Sequence, residues 1–260
     1  MGPEQRGRVA RRRKLRRGIY LLPTLFTTGN LVCGFTAIVM SFRGDIGRAG
    51  IFIIVAGVLD LLDGRIARLT GTTTEFGSEF DSLADIVSFG IAPAMLAYAW
   101  VLEPFGRIGW LVAFLFVICA AMRLARYNIQ AHSGERRHFV GLSSPVAAGS
   151  LAAVAFAFPA KPAAGSSMAL PLLLLVATLA LLMVSRFRYR SFKDLGLLDR
   201  RSYIYVLPLA VTMVGVLIWP RWVMLALAAT YLLSAPFVSV ARVFSSAAAR
   251  KDISHESVDG

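Results

Sequence analysis

Four aspartates dominate any chemical reading of this chain. Asp60 and Asp63 lie three residues apart, and Asp81 and Asp85 lie four apart. Either spacing puts both carboxylates of a pair on one face of a helix. The connector near 70–77 is short and rich in Gly and Thr, which predicts antiparallel neighbouring helices with all four carboxylates converging. Each pair sits in a strongly apolar stretch, where a lone ionised Asp costs ~2.5–3.5 kcal/mol. Four together also repel one another, and two divalent cations would balance them. Oxygen-only ligands favour magnesium or manganese over zinc, and metals held by carboxylates suit phosphoryl chemistry. Arg68, one turn beyond Gly64, offers a fork of donors to a phosphate. Gly64 and Ala67 leave room for a bulky ligand near the backbone, and Gly77 opens the next helix without side-chain obstruction. The competing reading makes the aspartates membrane-edge residues paired with Arg65, Arg68 or lipid.

The elements that must position these residues are apolar. Of 260 residues, 57% are hydrophobic, against about 45–50% in soluble domains. Eight apolar segments follow one another at 19–42, 47–69, 79–101, 107–127, 142–159, 168–186, 203–219 and 222–244. Each approaches the roughly 20 residues a helix needs to cross a hydrocarbon core. The runs lack the alternation of barrel strands. The expected fold is all-α and polytopic, with about eight transmembrane helices. A basic arm or amphipathic helix occupies 1–18, a catalytic core 19–202, two further spans 203–244 and a tail 245–260.

The net charge is +13, and membrane topology accounts for most of it. The arm and every second connection carry nearly all of the Lys and Arg. The opposite side holds only Arg43, Arg48, Arg107, Lys161 and Arg221. By the positive-inside rule both termini and the acidic residues face the cytoplasm, in what reads as a prokaryotic cell membrane. Nucleic-acid binding is excluded, because a span begins almost at once after the arm. Cys33 and Cys119 lie inside apolar segments and read as buried small hydrophobes.

The stretch Asp60-x2-Asp63-Gly64-x2-Ala67-Arg68-x8-Gly77-x3-Asp81-x3-Asp85 resembles the full signature of the CDP-alcohol phosphatidyltransferases. That resemblance implies a six-helix catalytic core, often in a homodimer, that uses a CDP-linked lipid donor and an alcohol acceptor and releases CMP. It implies that Asp60, Asp63 and Asp81 bind the two divalent cations, magnesium or manganese. Asp85 would assist with a metal and serve as general base. Asp60, Gly64, Ala67, Arg68 and Gly77 would line the CDP-lipid site, and Asn30 matches a polar position that faces the nucleotide. The segments 81–94, 122–128 and 141–149 resemble the phosphatidylserine synthase branch, which implies CDP-diacylglycerol and L-serine as substrates. Arg123, Arg126 and Asn128 are candidates for binding serine. Ser143 and Ser144, beside Pro145, read as a break or cap of the fifth helix. His132 and His138 read as solvated loop residues. One alternative keeps the chemistry but takes glycerol 3-phosphate or an inositol phosphate as acceptor, with Arg136 and Arg137 contributing. Another makes the carboxylates the ion path of a cation transporter.

Overall fold

A computed structural model describes residues 24–70, 74–132, 141–162, 166–185, 214–215 and 218–230. Within them the chain is helical, with no strand. Helix α1 spans Thr24–Phe42 and α2 Ile46–Thr70. Helix α3 spans Glu75–Phe105, α4 Arg107–His132, α5 Ser144–Ala157 and α6 Ala169–Val184. These correspond to the first six expected segments. A further helical stretch covers 220–230. Most of the expected seventh segment and the end of the eighth lie outside the described residues, so the count of eight helices is not met within them. The basic arm, Arg136, Arg137, His138 and the tail also lie outside them.

Helices α1, α3 and α4 are long and apolar enough to cross a membrane. Helix α2 has 25 residues, about 37 Å at 1.5 Å per residue. Its length suffices, but its last turns carry Asp60, Asp63 and Arg65. Helices α5 and α6, with 14 and 16 residues, are shorter than the expected segments. Extended backbone at Ser143 and a proline in the first turn start α5 late, and non-helical backbone at Phe158 stops it early.

Helix α3 is not uniform. It widens into π-helical turns at Ile86–Ile91 and Tyr98–Leu102 and tightens into a 3₁₀ turn at Glu103–Phe105. Pro93 lies just after the first wide turn. A proline inside a helix lacks a donor and crowds the preceding turn, and a π-bulge is one way for the helix to continue.

The core is built from small side chains. Ala49, Ala56, Ala147, Ala148, Ala152 and Ala155 have no exposure, and α2 packs closely on α5, while α4 packs on both α3 and α6. Without side-chain bulk, helix backbones approach closely, which is how helices associate in lipid. At Gly50 the α2–α5 approach is near its limit, since a Cβ there would lie 2.8 Å from the Ala152 carbonyl oxygen.

Two sets of cross-helix contacts define the ends of the bundle. At one end Trp100 donates its indole N–H to the Ala160 carbonyl at 3.2 Å. There Lys161 pairs with Glu103 at 3.6 Å. The opposite end joins α1 to α2 and α3, α4 to α3, and α4 to the start of α5. The helices therefore run alternately up and down, and all four aspartates share the second end.

Candidate active site

The last turns of α2 and the first turns of α3 supply the carboxylates. Thr74 caps α3: its backbone is extended, and its Oγ1 accepts from the Gly77 N–H at 3.0 Å. A Cβ at Gly77 would lie 2.9 Å from that oxygen. Gly77 thus serves the cap that starts the helix, a role the expectation of an unobstructed opening did not specify. From this start, Asp81 and Asp85 follow on one face.

One oxygen from each of Asp60, Asp63 and Asp81 lies within 4.8 Å of the others. Asp63 is buried, and Asp60, Asp81 and Asp85 are half-buried. Asp85 sits one turn past Asp81 and within electrostatic reach of Asp60, Asp63 and Asp81. Among the described residues no Lys or Arg pairs with any of the four. The reading of these aspartates as partners of Arg65 finds no support there, and the Arg68 side chain lies outside the described set. Asp81 Oδ1 is buried and has no hydrogen-bond partner within that set. Clustered carboxylate oxygens, one of them unsatisfied, form a donor set that fits a hard divalent cation.

Helix α1 braces this cluster. Thr27, buried, donates its hydroxyl to Asp63 Oδ2 at 3.0 Å. Asn30, fully buried one turn on, donates its amide N–H to Asp85 Oδ1 at 3.3 Å. Asn30 thus meets the cluster directly. Thr27 was not anticipated, although its three-residue spacing from Asn30 on an apolar helix was a usable signal.

Helix α4 approaches from the other side. Asn128 donates to Ser82 Oγ at 3.0 Å, on the turn between Asp81 and Asp85. Arg123 donates to Ser144 Oγ at 2.9 Å. Ser144 is therefore an arginine partner, and Ser143, the residue before α5, makes no side-chain capping bond. Arg126 is exposed. Gly64 and Ala67 are half-buried on α2 just past Asp63.

A family model for CDP-alcohol phosphatidyltransferases matches residues 20–186. The chain belongs to the CDP-alcohol phosphatidyltransferase family. Similar proteins include a CDP-diacylglycerol--serine O-phosphatidyltransferase of Helicobacter pylori (strain ATCC 700392 / 26695). It is 39% identical over 175 residues, covering 67% of this chain and 74% of that one. The protein of the same name from Bacillus subtilis (strain 168) is 35% identical over 174 residues, or 66% and 91% of the two chains. An archaetidylserine synthase of Methanothermobacter thermautotrophicus is 40% identical over 129 residues, covering 49% and 54%. The matched region of this phosphatidyltransferase runs from α1 through α6 and contains the acidic cluster with its braces. With its apolar helices, family membership makes the chain an integral membrane enzyme.

Proposed function

We propose that the chain transfers the phosphatidyl group of CDP-diacylglycerol to the hydroxyl of L-serine, forming phosphatidylserine and CMP. The observation that carries this reading is the convergence of Asp60, Asp63 and Asp81 within 4.8 Å, with Asp85 one turn away. Serine is favoured as acceptor because the named relatives share it while their lipid parts differ.

Asp60, Asp63 and Asp81, with help from Asp85, would hold two divalent cations, magnesium or manganese. Such cations neutralise charge on a diphosphate and its leaving group. Arg68, Gly64, Ala67, Gly77, Asp60 and Asn30 would line the CDP-lipid site. Arg123, held by Ser144, is the partner for the serine carboxylate, with Arg126 and Asn128 nearby on α4. Asp85 takes the proton of the serine hydroxyl as that oxygen bonds to the lipid-side phosphorus. The bond from this phosphorus to the bridging oxygen breaks, and CMP leaves with the electron pair. Most of the rate enhancement comes from positioning and electrostatics. The chain places both termini and this site on the cytoplasmic side, as the distribution of Lys and Arg supports.

The test is an assay of purified protein with CDP-diacylglycerol and magnesium. Radiolabelled serine, glycerol 3-phosphate and inositol phosphate are offered in parallel. Label is expected in lipid from serine alone, and transfer from another acceptor instead would reject serine. Asp85→Asn is expected to bind the donor normally yet lose turnover by at least about a hundredfold. Wild-type turnover in that variant would reject Asp85 as the base.

A further inference from the structure

Several hydroxyls in these helices bond to their own backbone. Thr28, Thr36, Ser41 and Ser82 all donate to the carbonyl four residues back, the ordinary outlet for Ser and Thr in an apolar helix. Ser88 does not. It is fully buried, lies in the wide turn Ile86–Ile91 that begins directly after Asp85, and donates across to the Asn30 backbone carbonyl on α1 at 3.0 Å. Gly34, one turn further along α1, makes this crossing possible. A Cβ on Gly34 would lie 2.8 Å from Ser88 Cα, so the two backbones touch here.

The residue that Ser88 grips is the one that touches Asp85. The Asn30 side chain has two rotatable bonds, and its amide donates to Asp85 Oδ1. Once the Asn30 backbone is pinned between Ser88 and Gly34, the amide has little freedom, and neither has the carboxylate it holds. We infer that Ser88 is a positioning residue for the transfer reaction: its bond to the Asn30 carbonyl, beside the Gly34 contact, fixes Asn30 and through it Asp85. This rests on the reading of Asp85 as the base. Ser88 itself touches neither substrate nor the reacting atoms. Asp85 and Ser88, on either side of the start of this wide turn, both reach Asn30 on α1. A π-bulge next to a functional group is a recurrent use of that distortion.

The experiment compares full-length Ser88→Ala, Asn30→Ala, their double variant and Asp85→Asn in detergent–lipid micelles. It reads kcat, both KM values and the thermal unfolding midpoint. Loss of one orienting hydrogen bond should lower kcat of Ser88→Ala about tenfold. Both KM values should stay within about twofold of the parent, and the unfolding midpoint should not move. The double variant should be no slower than Asn30→Ala, because both residues act through one contact. Wild-type kcat in Ser88→Ala, a loss that tracks a lowered midpoint, or multiplicative losses in the double variant would each overturn the assignment. If Ser88→Ala does not yield folded protein, Ser88→Cys, which keeps a weak donor, replaces it under the same criteria. The control separates the two claims. Full turnover in Asp85→Asn removes the base itself, whereas an inactive Asp85→Asn beside a fully active Ser88→Ala removes only the positioning role.

Discussion

Thr27 holds one oxygen of Asp63 from a neighbouring helix, and that bond fixes where the other oxygen points. Partners that orient a metal ligand typically matter about 10–100-fold in affinity. Thr27→Val keeps the shape and removes the donor. We expect it to weaken manganese binding by about tenfold, read by electron paramagnetic resonance titration of free Mn²⁺ without substrate. Unchanged affinity would show that Asp63 needs no such support. The four aspartates were legible in the sequence because charge in an apolar run is costly and their spacing defines a face. Thr27, Ser82 and Ser88 were not legible as site residues. A hydroxyl in a helix can always bond its own backbone, so its partner is decided by how neighbouring helices register. Arg123 and Asn128 were legible as polar residues near the site. That their donors meet Ser144 and Ser82 depends on packing that no local pattern encodes.

Helices carry these residues to one place, and their ends are where sequence reading loses precision. Hydropathy located α1 to α6, because burial of apolar surface sets their existence. Their limits follow from caps and backbone geometry. Helix α3 starts at Glu75 rather than near 79 because Thr74 caps it, and it runs on to Phe105 through a 3₁₀ turn. The wide turns of α3 have no residue type that demands them, and only Pro93 hints at one. Between α2 and α5 the decisive feature is a missing side chain. Gly50→Ala would press a Cβ against the Ala152 carbonyl. Separating the helices to relieve this should cost about 1–3 kcal/mol. The loss is measurable as a lowered unfolding midpoint in detergent, and since α2 carries Asp60 and Asp63, activity should fall with it. An unchanged midpoint would show that the α2–α5 contact yields without cost.

At the scale of the molecule, the alternating helices sort the chain into two ends with different chemistry. One end gathers the four carboxylates, their braces on α1 and the contacts from α4. The other gathers the turn at Gly44, the α3–α4 turn at Gly106 and the Glu103–Lys161 pair. Arg43, Arg48, Arg107 and Lys161 all belong to this second end, yet they are few beside the Lys and Arg assigned to the first. By the positive-inside rule we propose that the acidic end is cytoplasmic, where a water-soluble acceptor and the released nucleotide would exchange freely. Cysteine labelling in intact cells tests this directly. Glu79 is exposed near the acidic end, and Lys161 is half-exposed at the other. In a background without Cys33 and Cys119, Lys161→Cys should react with a membrane-impermeant maleimide from outside. Glu79→Cys should react only after permeabilisation. The reverse pattern would place the carboxylates outside the cell, away from any cytoplasmic supply of serine. The orientation and the proposed acceptor would then fall together, while the geometry of the acidic cluster would stand.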